Sequence, residues 1–135
     1  MIVYSIANFL VLSSIYFLFD YKVFIAFIFA AIIGILLLGT VDYIEHYGLL
    51  RKLNASGRYE RVQHKHSWNS DHQLGRLMLF NLSRHSDHHY KASKKYQLLE
   101  SLPESPQMPT GYSGMMMLAT IPPLFFWIMN KKINP

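Results

Sequence analysis

Three histidines crowd one short string, Arg84-His85-Ser86-Asp87-His88-His89. On an α-helix the spacing i, i+3, i+4 sets their imidazoles on one face. Neutral imidazole is a good ligand for iron, zinc, copper or nickel, whereas imidazoles sharing a face repel one another once protonated, so a common metal ion is their natural partner. A fourth histidine, His46, lies in Asp42-Tyr43-Ile44-Glu45-His46-Tyr47-Gly48-Leu49-Leu50-Arg51, directly after a long apolar stretch. His46, His85, His88 and His89 are therefore the candidate metal ligands. Asp42, Glu45 and Asp87 lie close enough in sequence to support them. A carboxylate that accepts the second N–H of a ligand imidazole fixes its tautomer and raises its basicity. His64, His66 and His72 fit no single regular face and read as hydrogen-bonding posts in a loop, with Trp68 and Asn69 pinning that loop beneath the helix of the cluster.

The elements that must position these residues follow from composition. The chain has 135 residues, 51% of them hydrophobic, a formal net charge of +5 and no cysteine, which excludes a disulfide scaffold and any thiolate metal site. Residues 2–19 and 23–41 are uncharged and mostly apolar, separated by Asp20-Tyr21-Lys22, and each approaches the ~20 residues needed to cross hydrocarbon. They read as an antiparallel transmembrane hairpin, since a cleaved signal would need a basic start and a small-residue cleavage site. Twelve of the thirteen Lys and Arg residues lie from Arg51 onward. Arg51, Lys52, Arg58 and Arg61 just beyond the second span place the following cap in the cytoplasm. There its basic charge gains roughly 1 kcal/mol per well-placed side chain against anionic headgroups. Nucleic acid is not an expected partner, because no recognition motif accompanies the charge.

The predicted fold is thus mainly α, a transmembrane helical hairpin followed by a cytoplasmic, membrane-apposed helical cap carrying a histidine box. The hairpin occupies residues 1–50 and the cap 51–135. Within the cap, residues 54–57 read as a turn and 58–71 as irregular chain. Residues 74–90 are expected as one helix, with Met78, Asn81, Leu82, His85, His88 and His89 on one face. Met78, Leu82 and the last turn of the second span would then floor an apolar pocket under the histidines. Pro103, Pro106 and Pro109 keep the next stretch extended. Residues 115–129, broken by Pro122-Pro123, suit a segment in the membrane interface or packed on other helices rather than a third span.

Four strings, 42–51, 57–69, 84–89 and 102–114, together resemble the C-terminal part of membrane-bound alkane 1-monooxygenases. These are integral membrane non-haem diiron hydroxylases related to the fatty acid desaturases. The resemblance runs over essentially the whole chain in order, with Asp42 standing where that family more often has Asn. It implies terminal hydroxylation of medium or long alkanes, dioxygen activation at two irons held by histidines, and electrons from rubredoxin and its reductase. His46, His85, His88 and His89 occupy ligand positions, with Asp42, Glu45 and Asp87 beside them. The basic cap would dock a small acidic carrier, and the expected location is the bacterial inner membrane. The family also carries two earlier histidine boxes, of the HxxxH and HxxHH kind, and no histidine precedes His46 here. The chain is accordingly expected to be the C-terminal portion of a longer enzyme, with Met1 an internal methionine or a miscalled start, and to be inactive alone. The competing readings are a stand-alone membrane protein binding one metal ion, a basic anchor for anionic lipid, and a related xylene-type hydroxylase or fatty acid desaturase.

Overall fold

A computed structural model of the chain describes residues 1–133, so the last two residues of the expected 51–135 cap lie outside the described residues. Among the described residues the regular structure is helical, without strands, as the apolar and helix-period patterns predict. In chain order the helices are α1 (Ile2–Leu18), α2 (Tyr21–His46), α3 (Gln73–Met78), α4 (His85–Tyr90), α5 (Tyr112–Ala119) and α6 (Pro122–Ile133). Short 3₁₀ turns stand at His64–His66 and Tyr96–Leu98. The chain divides into two compact units, Met1–Gly39 and Thr40–Pro135.

The first unit is α1 and the leading part of α2. Phe19 leaves α1 in extended conformation, and the Asp20 carboxylate then accepts the Val23 N–H at 2.9 Å, capping the start of α2. Tyr16 meets Phe24 edge to face beside this turn. No residue of α1 is buried, and none of α2 is before Ile44. At 26 residues α2 is long and apolar enough to cross a membrane, whereas α1, at 17 residues, is shorter.

In the second unit the apolar core gathers Ile44, Trp68, Met108, Tyr112, Met115, Phe125 and Met129. Helix ends leave carbonyls without helical partners, and the end of α2 is finished by the irregular segment that follows. The Trp68 N–H donates to the Glu45 carbonyl at 2.8 Å, and its indole Nε1–H donates to the Tyr47 carbonyl at 2.8 Å. Gly48 closes the helix in left-handed conformation (φ 72°), and a side chain there would run into Ile133. Residues 58–71 are irregular apart from the His64–His66 turn and isolated bridges of Tyr59 with Leu53 and of Asn69 with Gln107. Asn69 pairs with the proline-rich stretch through its N–H to the Pro106 carbonyl and its carbonyl to the Met108 N–H, both at 2.8 Å. Pro122 and Pro123 do not interrupt a helix but begin α6, where the missing N–H costs nothing.

The single helix expected over 74–90 is two six-residue helices, α3 and α4. Phe80 and Asn81 between them take left-handed backbone (φ 49° and 61°). The Asn81 N–H turns back to the Arg76 carbonyl at 2.8 Å, while the Arg76 Nε–H donates to the Asn81 side-chain oxygen at 3.2 Å. Asparagine tolerates this conformation because its short polar side chain bonds locally. The expected apolar stripe is consequently broken, and Met78 and Leu82 are exposed.

Candidate metal centre

Helix α4 carries no capping side chain of its own, since Arg84 stands at its N-cap. The loop supplies the cap instead. The fully buried Asn69 accepts the Ser86 N–H at 2.9 Å through its side-chain oxygen, fixing the first turn of α4 and the histidines it bears. At the other end of the site, Trp68 holds the final turn of α2, which bears His46.

These two helix ends bring His46, His85 and His89 together, with one ring nitrogen from each lying within 4.8 Å of the others. His46 Nε2 and His85 Nε2 are 3.3 Å apart. Two nitrogens bound to one tetrahedral ion at ~2.0–2.1 Å stand about 3.3–3.4 Å apart, so this pair is spaced as ligands of a common ion are. The ring centroids of His46 and His89 are 5.0 Å apart, and those of His85 and His89 4.2 Å. His88 departs from the shared face. Its ring centre lies 6.4 Å from His85, and its buried Nδ1 has no hydrogen-bond partner.

Electrostatics keep the cluster ready for a cation. Burial, together with neighbouring His89, His46 and His88, pushes His85 down to about 3. Burial and the His46 and His88 rings likewise lower His89, against a small opposing pull from Asp42. Both rings are therefore neutral near pH 7, with lone pairs to donate.

The three carboxylates divide. Glu45 lies 3.3 Å from His85 Nδ1 through Oε1, and the same oxygen accepts the Tyr112 hydroxyl at 2.6 Å. The exposed Asp42 lies 3.8 Å from His46 Nε2. Asp87 faces elsewhere, accepting Lys94 Nζ at 2.7 Å and the Glu100 N–H at 2.8 Å, with His64 at 3.7 Å. Burial raises the Asp87 carboxyl, but Lys94 and the Glu100 N–H outweigh it and hold the group below the ordinary range.

The remaining histidines do not join the three converging donors, although His66 lines a depression together with His46 and His89. His66 is buried, takes the Gln63 N–H on Nδ1 at 3.0 Å and gives Nε2–H to Glu60 at 3.1 Å. His64 packs against the Tyr90 ring, with centroids 4.1 Å apart. His72 stands at the start of α3, beside an apolar cleft of about 400 Å³ lined by Val41, Leu74, Met78, Leu79, Tyr112 and Met116. Val41 and Met78 thus share a pocket, but His72 rather than the clustered histidines lines it, and Leu82 lies in a separate depression with His88 and Tyr96, so the expected apolar floor beneath the cluster is divided.

Tyr112 is the residue that sequence reasoning overlooked. It lies 67 positions from Glu45, and its sole signal was membership in the 102–114 string.

Three imidazoles from two helix ends, two of them held neutral and one with a carboxylate beside it, form a candidate metal site of the nitrogen-donor class. The family described as fatty acid desaturase matches residues 1–119, and the chain belongs to that family. Among curated relatives, alkane 1-monooxygenase 1 of Pseudomonas aeruginosa is 50% identical over 104 residues, which is 77% of this chain and 27% of that protein. Alkane 1-monooxygenase 2 of Alcanivorax borkumensis is 52% identical over 99 residues, covering 73% of this chain and 26% of the relative. A second Pseudomonas aeruginosa protein, alkane 1-monooxygenase 2, is 47% identical over 110 residues, 82% of this chain and 29% of its own length. The chain thus spans about a quarter of the length of the curated relatives it matches.

Proposed function

We propose that this chain is the carboxy-terminal part of an alkane 1-monooxygenase and supplies one wall of its diiron site. The convergence of His46, His85 and His89 within 4.8 Å, in a chain about 50% identical to such enzymes, carries this reading. His46, His85 and His89 would hold one ion. His88, with a buried nitrogen that has no partner, is suited to a second. When bound, iron supplies activation of dioxygen, so that one oxygen atom enters a terminal C–H bond and the other leaves as water. The two electrons required come from rubredoxin, which the basic cap attracts by charge.

The chain's own residues set the geometry. Glu45 orients His85, the Asn69 cap holds α4, and the cleft between Val41, Met78 and Met116 offers an alkane an apolar approach. The remaining ligands belong to the two histidine boxes that the family carries upstream, so this chain alone neither retains two irons nor hydroxylates alkane. The basic residues after α2 favour the cytoplasmic face of the bacterial inner membrane for the cap.

Iron analysis tests the proposal. The 135-residue chain purified in detergent is expected to hold fewer than two tightly bound irons and to form no 1-octanol from octane with rubredoxin. Adding a segment bearing the two upstream boxes should restore both. Two irons and turnover from this chain alone overturn the divided site, and failure of the restored protein to make 1-octanol overturns the reaction. A mononuclear metal protein would use the same three nitrogens, and one ion per chain both before and after that addition would favour it.

A further inference from the structure

We propose that Tyr112 is a positioning residue for the metal centre, acting through Glu45 on His85. The proposal rests on the metal-centre reading above. The Tyr112 hydroxyl donates to Glu45 Oε1 at 2.6 Å, and that oxygen lies 3.3 Å from His85 Nδ1. A carboxylate oxygen has lone pairs for two donors. With Tyr112 filling one, the other is left to accept a proton carried on His85 Nδ1, 3.3 Å away. His85 is thereby kept in the tautomer that leaves Nε2 bare, and Nε2 is the atom facing His46 at 3.3 Å.

Tyr112 suits this task because it cannot easily move. Its ring is part of the buried cluster with Ile44, Met115 and Phe125, and the residue begins α5. Glu45, by contrast, is a flexible side chain near the end of α2. Held at 7% exposure, its carboxylate needs donors, and Tyr112 provides the short one. Without the hydroxyl, Glu45 loses its fixed partner. His85 then loses the contact that chooses its protonated nitrogen, and the site is no longer set before the ion arrives.

Tyr112→Phe removes the hydroxyl and keeps the ring. In the detergent-solubilised chain, titrated with Co(II) and followed by visible absorption, the variant should bind about 10-fold more weakly than wild type, with a shifted band. Glu45→Gln should weaken binding similarly. The double variant should be no weaker than Glu45→Gln alone, since the tyrosine acts only through the carboxylate. Wild-type affinity and band in Tyr112→Phe, or additive losses in the double variant, overturn the proposal. A lowered Tm with unchanged Co(II) binding also overturns it, because that outcome describes a merely structural residue.

His89→Ala separates the two levels of inference. If it binds Co(II) as wild type does, the metal-centre reading itself fails. If it loses the ion while Tyr112→Phe does not, the failure is confined to Tyr112. Should Tyr112→Phe not fold, ¹⁵N NMR of the unaltered chain decides: His85 protonated on Nδ1 supports the proposal, and protonation on Nε2 overturns it.

Discussion

Asn69 shows how one buried amide places the site. Its side-chain oxygen caps α4 through the Ser86 N–H, while its backbone N–H and carbonyl are engaged by Pro106 and Met108. Asn69→Ala would keep those backbone bonds and leave the Ser86 N–H unpaired in the interior, at a cost of about 1–3 kcal/mol. Chemical unfolding in detergent should show that loss. Co(II) affinity should fall with it, because His85 and His89 both ride on α4. A variant with wild-type stability would refute this role. The histidine types and the 85/89 spacing were legible in the sequence, because i and i+4 must share a helical face. The departure of His88 and the arrival of Tyr112 were not. One depends on where a six-residue helix sits, the other on packing across 67 residues.

At the scale of elements, the apolar runs of α1 and α2 could be read directly, since length and hydropathy decide them, whereas Pro122-Pro123, read as a break, proves to be the start of α6. The break between α3 and α4 could not be read either. Neither Gly nor Pro marks it, and Asn81 becomes left-handed in company with Arg76, a partner that periodicity does not reveal. The irregular segment before α3 owes its shape to charged staples that pH can release. Glu60 is held below the usual carboxylate range chiefly by the Lys52 N–H, with Lys65 and His66 adding to it against some burial. For Asp71, burial pushes upward but is outweighed by Ser101, Arg84 and Arg76. Both folded carboxyls therefore take up protons at lower pH than the unfolded chain does. Their stabilisation is complete above the ordinary value of about 4 and disappears as pH falls through the folded values. Asp71→Asn, which loses the 3.0 Å ion pair with Arg84, should melt below wild type at neutral pH, and the gap should close as the solution is acidified below about pH 4. A gap of constant size between pH 7 and pH 3 would show that Asp71 acts by packing rather than by charge.

Across the whole molecule, many large apolar side chains among the described residues lie exposed, alongside the buried core of the second unit. The side chains of α1 and of the front of α2 are largely exposed, and in the second unit α6 buries Phe125 and Met129 while leaving Trp127 at 59% exposure. Lys131 lies over the Trp127 ring at 3.8 Å, with Lys132 beside it in the last turn. An aromatic ring next to lysines at a helix end matches a bilayer interface, where the ring lies among the headgroups and the ammonium groups reach water or anionic lipid. The chain has two tryptophans, and the other, Trp68, is 2% exposed in the core, so fluorescence can separate a lipid-facing site from a protein-facing one. In vesicles containing brominated phospholipid, Trp68→Phe should leave an emission from Trp127 that is strongly quenched. Trp127→Phe should leave one from Trp68 that is barely affected. An unquenched Trp127 in membrane-inserted chain would mean that α6 turns this face to water or to protein, and the interfacial placement of the C-terminal segment would have to be abandoned.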